Sequence, residues 1–280
     1  MKKIVLIIIP ILFIAFIVTN CNRKVVANSA ANSDRTKPTA KLMTYTKKGI
    51  TLTELYSPEQ FENATIAQNT SSSTMAELDS NKIKVEYTTS NYELQKQTDT
   101  TGIKSCANAV KGQHIHCIVD NGPYNALYEK SGTVKATDDG QHMVLSFLSR
   151  SYHESIKNKN AYALSSVISG KSRYYARYAA PDLSKPMLFY SRPKDVYKGG
   201  ETEAVLLDFY LVNCDLDKDG YKVKAEINGT EFLLTKWSGY FMEGLPMGEN
   251  TIKLTLLDGK GNIVDSPFNV SERKFTLKAN

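Results

Sequence analysis

The sequence predicts an all-β fold: a signal peptide and flexible tether followed by two immunoglobulin-like antiparallel β-sandwich domains. Three observations carry this. Apolar residues recur at every second position in run after run, as at Ile83, Val85 and Tyr87 or Val223, Ala225 and Ile227, the period of a half-buried strand. Turn residues such as Asn121-Gly122-Pro123, Asp138-Asp139-Gly140 and Asn228-Gly229 punctuate the runs at short spacing, the pattern of hairpin-connected sheets. Nothing after the N-terminus has helical period, and 16 Tyr and 10 Phe supply the aromatics that strands favour.

Taken in order, Met1-Lys2-Lys3, the apolar run Ile4 to Val18 and the tetrapeptide Val18-Thr19-Asn20-Cys21 have the layout of a secretory signal. The run contains Pro10 and falls short of the roughly 20 residues a spanning helix needs. Cys21 stands where bacterial lipoprotein signals place the acylated cysteine; Val18 matches that pattern, and Asn20 departs from its usual small residue. Residues 1–20 are therefore expected to be removed and Cys21 lipidated, which suffices to tether a soluble domain. Residues 21–48, polar and without apolar period, read as a flexible tether, and 49–81 as a weakly structured lead-in. Strand signals then define a first sandwich over 82–175 and a second over 186–280. Residues 188–278 are expected to be stable alone, with Trp237 plugging the core beside Tyr240 and Phe241.

With 41% hydrophobic and 23% charged residues the composition is globular. The formal charge of +6 falls by two when Lys2 and Lys3 leave with the signal. So mild a basic excess excludes nucleic acid as the expected partner. It leaves the membrane, through the lipid, and an envelope protein, peptide or glycan.

Several groups of residues could carry chemistry. In Gly112-Gln113-His114-Ile115-His116-Cys117 the two imidazoles alternate on a strand and share a face. Such a pair is half of a site for Cu, Zn or Ni, which His142 and His153 could complete; the rival reading is imidazoles hydrogen-bonded to nearby backbone. Asp215, Asp217 and Asp219 with Glu226 at the twelfth position fit the spacing of a calcium loop, although the flanks alternate as strands and Asp219-Gly220 needs no ion to turn. An aromatic and basic cluster, Arg150, Tyr152, Arg173, Tyr175, Arg177 and Arg192, suits an anionic or glycan ligand, or equally an interface between the domains. Cys106 and Cys117 could form a disulfide in an oxidising compartment; buried thiols are the alternative. No G-x-S-x-G, H-E-x-x-H or phosphate loop appears, so no catalytic residue is assigned.

The segments GQHIHCIVDNGPYNALY (112–128), FLSRSYHESIKNKNAYA (147–163), FYSRPKDVYKG (189–199) and EGLPMGENTIKLTLLDGKGNIV (243–264) resemble uncharacterised two-domain lipoproteins of Bacteroidetes. Some of these are described as phosphopeptide-binding. The resemblance implies the same exported two-domain architecture and brings no catalytic residues. Surface-exported lipoproteins of that group often carry acids just after the lipidated cysteine. This chain has Asn22, Arg23 and Lys24 there, which favours the periplasmic face. The leading expectation is a lipid-anchored envelope binding or scaffold protein, the alternative a periplasmic copper or zinc protein using His114 and His116, and the third a hydrolase.

Overall fold

The computed structural model describes residues 41–69, 81–104, 106–169 and 181–279. The signal, Cys21, most of the tether, Arg173, Tyr175 and Arg177 lie outside the described residues. In chain order the strands are β1 (Thr44–Lys47), β2 (Ile50–Glu54), β3 (Thr65–Gln68), β4 (Lys82–Ser90), β5 (His114–Val119), β6 (Asn125–Leu127), β7 (Ser131–Lys135) and β8 (Gly140–Ser149). There follow β9 (Tyr162–Ser169), β10 (Met187–Arg192), β11 (Val196–Lys198), β12 (Val205–Val212), β13 (Lys222–Ile227), β14 (Thr230–Leu234), β15 (Tyr240–Glu243), β16 (Gly248–Leu257) and β17 (Ser271–Lys278). Among the described residues there is no α-helix.

The strands form four sheets, ordered β3-β4-β7, β6-β5-β8-β9, β1-β2-β15-β12-β10 and β11-β17-β16-β13-β14. Their pairings are antiparallel except that of β11 with β17. The first two sheets enclose a core of Ile83, Val85 and Tyr87 against Ile115, Cys117, Val144 and Leu148. The last two enclose Leu207, Phe209 and Leu211 against Val223, Ala225, Ile227, Leu254 and Phe275. A further apolar layer joins the sandwiches, where Ile118, Met143, Leu145 and Phe147 meet Met187, Phe189, Tyr210 and Val212. The inner strands β5, β8, β10 and β12 are thus covered on both faces. That is why HIHCIV, MLFYSR and VLLDFYLV lack the polar alternation seen in the outer strand β4.

The sheets redraw the expected boundaries. The described part of 49–81 is more than a weakly structured lead-in: β2 pairs with β15 in the register Leu52 to Met242, and β3 pairs with β4. A five-residue strand gives little periodic signal, and its partner lies at the other end of the chain. The second sandwich is therefore completed by residues that precede the first, and Ala40–Asn280 forms one compact unit. Trp237 is half-buried at the join, its indole N–H donating to the Phe209 carbonyl at 3.0 Å and its ring edge-on to Tyr210 at 5.0 Å.

Two further expectations are corrected. Cys106 and Cys117 are both free: Cys117 is sealed in the first core, while Cys106 packs beside the separate cluster of Leu55, Tyr152 and Leu206. Burial pushes the Cys106 thiol up to about 11. Nor do the calcium-loop residues converge. Asp217 caps its own turn, accepting from the Asp219 amide at 2.9 Å. Glu226 lies four residues beyond Lys222 on β13, about 13 Å further along at strand rise, and pairs with Lys253 at 2.9 Å.

Candidate metal centre

Strand alternation puts Ile115 and Cys117 into the first core and turns His114 and His116 toward the second sandwich. Both imidazoles are fully buried. The strand is launched by Gly112, whose φ of +82° and close approach leave no room for a side chain: a Cβ would sit 2.6 Å from the Lys96 carbonyl oxygen and 2.7 Å from that of Gln95. The Gly112 carbonyl in turn accepts from His114 Nδ1 at 2.8 Å. The third imidazole comes from the turn after β8. There the His153 amide donates to the Arg150 carbonyl at 2.9 Å, and a left-handed φ of +69° aims the side chain back at β5.

The result is a triangle of ring nitrogens. His114 Nε2 lies 2.9 Å from His116 Nε2 and 3.1 Å from His153 Nδ1, and the third edge is 3.5 Å. Two imidazole nitrogens bound tetrahedrally to zinc at about 2.0–2.1 Å stand about 3.3 Å apart, so the triangle has the size of a three-histidine site. Among the described residues it is the only cluster of three or more His, Cys, Asp or Glu close enough to hold a metal ion.

Hydrogen-bond bookkeeping points the same way. A carbonyl only accepts, so His114 Nδ1 carries the proton and Nε2 presents its one lone pair. That lone pair faces two ring nitrogens and accepts from at most one, whereas a cation at the centre engages all three. The outer nitrogens are held as metal-ligating imidazoles commonly are, His114 by the Gly112 carbonyl and His116 Nδ1 by Ser191 Oγ at 3.2 Å. Burial above all, with Arg192 adding to it, lowers the His114 pKa to about 4, and burial likewise holds His116 and His153 well below the usual histidine value. The rings are therefore neutral near pH 7, the form that binds metal.

The surroundings come from both sandwiches. Tyr124, at the turn into β6, stacks on His116 with centroids 3.6 Å apart and planes 8° from parallel, and its hydroxyl lies 3.2 Å from His153 Nδ1. From the second sandwich a bulge in β10 between Tyr190 and Arg192 presents Ser191 to His116 and lets Arg192 turn over Tyr124, its guanidinium carbon 5.5 Å from the ring centroid. Lys194 Nζ lies 4.2 Å from the same centroid.

Not every expected ligand joins. In the β5–β8 register His116 faces Phe147, which leaves His142 five residues, or about 17 Å, along the sheet. It hydrogen-bonds Asp120 through Nδ1 and Ser169 Oγ through Nε2 at 2.9 Å. These are the residue types of a hydrolytic triad in the same order, but Ser169 is fully buried and its hydroxyl also donates to the Asp138 carbonyl at 3.1 Å. The group ties strand ends together. Arg150 is structural too, paired with Glu154 at 3.2 Å and donating to the Glu59 carbonyl at 2.7 Å, and Tyr152 is buried with Leu55 and Leu206. Of the aromatic and basic cluster, among the described residues, only Arg192 reaches the centre. Tyr124, Ser191 and Lys194 were not legible as site residues, although a hairpin pairing Cys117 with Asn125 returns Tyr124 toward His116.

No family model and no curated protein matches the chain. Similar solved structures include the fibronectin(III)-like modules of Clostridium thermocellum CbhA, at 10% identity over 77% of this chain and 95% of that one, with a TM-score of 0.27. The central fibronectin-III array of RIM-binding protein is similar at 9% identity over 74% and 67%, with a TM-score of 0.24. Bacteroides ovatus SGBP-B, in complex with a mixed-linkage heptasaccharide, is similar at 8% identity over 77% and 71%, with a TM-score of 0.19. The first two are fibronectin-III modules, and at such scores the likeness carries no argument.

Proposed function

We propose that this protein is a transition-metal-binding module of the bacterial cell envelope, tethered by lipid at Cys21 on the periplasmic face, which holds copper or zinc on His114, His116 and His153. The observation that supports it is the triangle of three buried, neutral imidazole nitrogens, 2.9 to 3.5 Å apart. All-nitrogen imidazole donation suits zinc, copper and nickel and disfavours calcium and magnesium. Three protein ligands leave a fourth position open, as catalytic and exchange sites do and closed structural sites do not. This takes up the alternative drawn from the sequence, the copper or zinc protein, over the leading expectation of a binding or scaffold protein of the envelope.

Metal analysis of protein purified without chelator, followed by calorimetric titration of the stripped protein with Cu2+ and Zn2+, tests the proposal. One equivalent is expected to bind, and the variant with both His114→Ala and His116→Ala to lose it. Affinity unchanged in that variant would remove the reading. Mass spectrometry of the N-terminal peptide tests the tether separately, since an unmodified Cys21 or an intact Met1 would end that part.

A further inference from the structure

Electrostatics around the three imidazoles are one-sided. Arg192 is 6% exposed, donates through Nη1 to the Tyr197 hydroxyl at 2.8 Å, and has no partner for its Nε. Lys194 donates to the Tyr124 carbonyl at 3.4 Å and pairs at 3.4 Å with Asp195, whose carboxylate is 74% exposed. The charged groups acting on His116 and His153 are Arg192 and Lys194, with no carboxylate among them. A divalent cation placed here would add to positive charge in a poorly solvated layer, which is costly unless an anion arrives with it. The donors already present are those that bind oxygen anions: a guanidinium with a free N–H, an ammonium and a phenol.

Geometry says where such an anion would sit. Tyr124 lies in a plane parallel to the His116 ring and about 3.6 Å from it, whereas a metal on Nε2 lies in the plane of the His116 ring itself. The phenol oxygen is therefore set off from the metal by more than a bond length. It is placed to donate to a ligand on the metal, not to be one. From these observations, and resting on the metal-binding reading above, we infer that the open fourth position is a receptor for a small oxyanion, a carboxylate or phosphate group bound to the metal through one oxygen and gripped by Tyr124 and Arg192, with the Lys194 ammonium over the far face of the Tyr124 ring adding positive charge. The low exposure of His153 at 8%, Arg192 at 6% and Tyr124 at 4% limits the guest to a small ion or a single exposed headgroup.

Cobalt(II) reports the coordination directly through its visible d–d bands. Stripped protein is loaded with Co2+ and titrated in separate arms with inorganic phosphate, acetate and sulfate, the preferred arm identifying the chemistry of the anion. The expected result is a saturable spectral change in at least one arm. It should weaken about tenfold or more in Arg192→Met, the scale of one lost charge-assisted hydrogen bond, and measurably but less in Lys194→Met, which removes charge alone. Lys194 is only part-buried, so its variant keeps the test alive should the Arg192 variant fail to fold. Removal of either cation should also tighten Co2+ in anion-free buffer, because a charge that repels the metal is gone, which a merely structural role would not give. If Co2+ binds and no oxyanion alters its spectrum, or both variants respond like the parent, the oxyanion inference is overturned and the metal site stands. If Co2+ does not bind to the parent protein, the metal reading itself fails and takes this one with it.

Discussion

Removing the carboxylate of Asp208 should loosen the proposed metal centre without touching it. Asp208 lies on β12 with no exposed surface and faces the first sandwich; its Oδ1 accepts from Ser155 Oγ at 3.0 Å and from Lys157 Nζ at 2.6 Å. Those two donors follow His153 in the same loop, so the second sandwich holds in place the turn that delivers the third imidazole. Asp208→Ala strands the Lys157 ammonium, whose side chain is 12% exposed, and breaking one side of a buried pair costs about 3–5 kcal/mol. Against a total of about 5–15 kcal/mol that is a large share, and for a unit of this size it lowers Tm by roughly 6–20 °C. The double variant Asp208→Leu with Lys157→Met should recover most of the loss, because packed apolar side chains replace a buried pair at little net cost, leaving about 1 kcal/mol for the acceptor that Ser155 loses. Urea denaturation gives the stabilities and calorimetry the zinc affinity, which should fall in the single variant. An Asp208→Ala protein within about 1 kcal/mol of the parent, below the range for a broken buried pair, or a double variant no better than the single, would refute the reasoning.

Gly112→Ala forces a Cβ to within 2.6 Å of a carbonyl oxygen at a left-handed φ; it should cost roughly 2 kcal/mol or more in urea denaturation and abolish zinc binding by displacing His114. His142 has its pKa raised, chiefly by the hydrogen bond from its ring to the Asp120 carboxylate. A raised folded-state pKa contributes stability that is full below the unfolded histidine value and is lost as pH rises through the folded one. The stability gap between the parent and His142→Gln should accordingly be widest near about pH 6 and close toward about pH 9; a gap that grows with pH would contradict the assignment. Residues 186–280 expressed alone lack β1 and β2 and expose the layer of Met187, Phe189, Tyr210 and Val212. That fragment should bind a hydrophobic dye and melt without cooperativity, while 41–280 melts as one unit; a sharp melt of the fragment would restore the expectation that it folds alone.

How much of this could be read from the sequence follows from where each contact is made. Outer strands such as β4 and β13 alternate because one face meets water, so their residues announce both strand and core. Inner strands such as β12 are apolar but for Asp208, and periodicity alone does not say what covers their second face. The layer between the sandwiches, and the insertion of β2 beside β15, stayed hidden for that reason. The site divides in the same way. His114 and His116 are two residues apart, and strand geometry alone puts them on one face. The position of His153 depends on a left-handed turn, and those of Ser191 and Arg192 on a bulge, neither of which leaves a period. Cys106 and Cys117 looked pairable because an oxidising compartment permits a disulfide, yet the cores they enter are different.

The local departures from regular structure are also informative as a set. Within the first sandwich the chain accepts a glycine-only turn at Gly112 and a left-handed histidine at His153; in the second it accepts a bulge at Ser191. Each of the three costs stability on its own, and each places a group against the same triangle of nitrogens. Between two packed sandwiches, selection for stability alone would fill this space with aliphatic side chains, which need no partners and tolerate regular strands. Three imidazoles packed ring nitrogen to ring nitrogen, beside an arginine with an unused N–H, are the opposite solution. Irregularities and unmet polar groups that converge on one point are what a binding site looks like before its ligand arrives. Because that point is lined from both sandwiches, a ligand bound at about 100 times its dissociation constant would add about 2.7 kcal/mol to the docked arrangement, so occupancy and domain docking must rise and fall together.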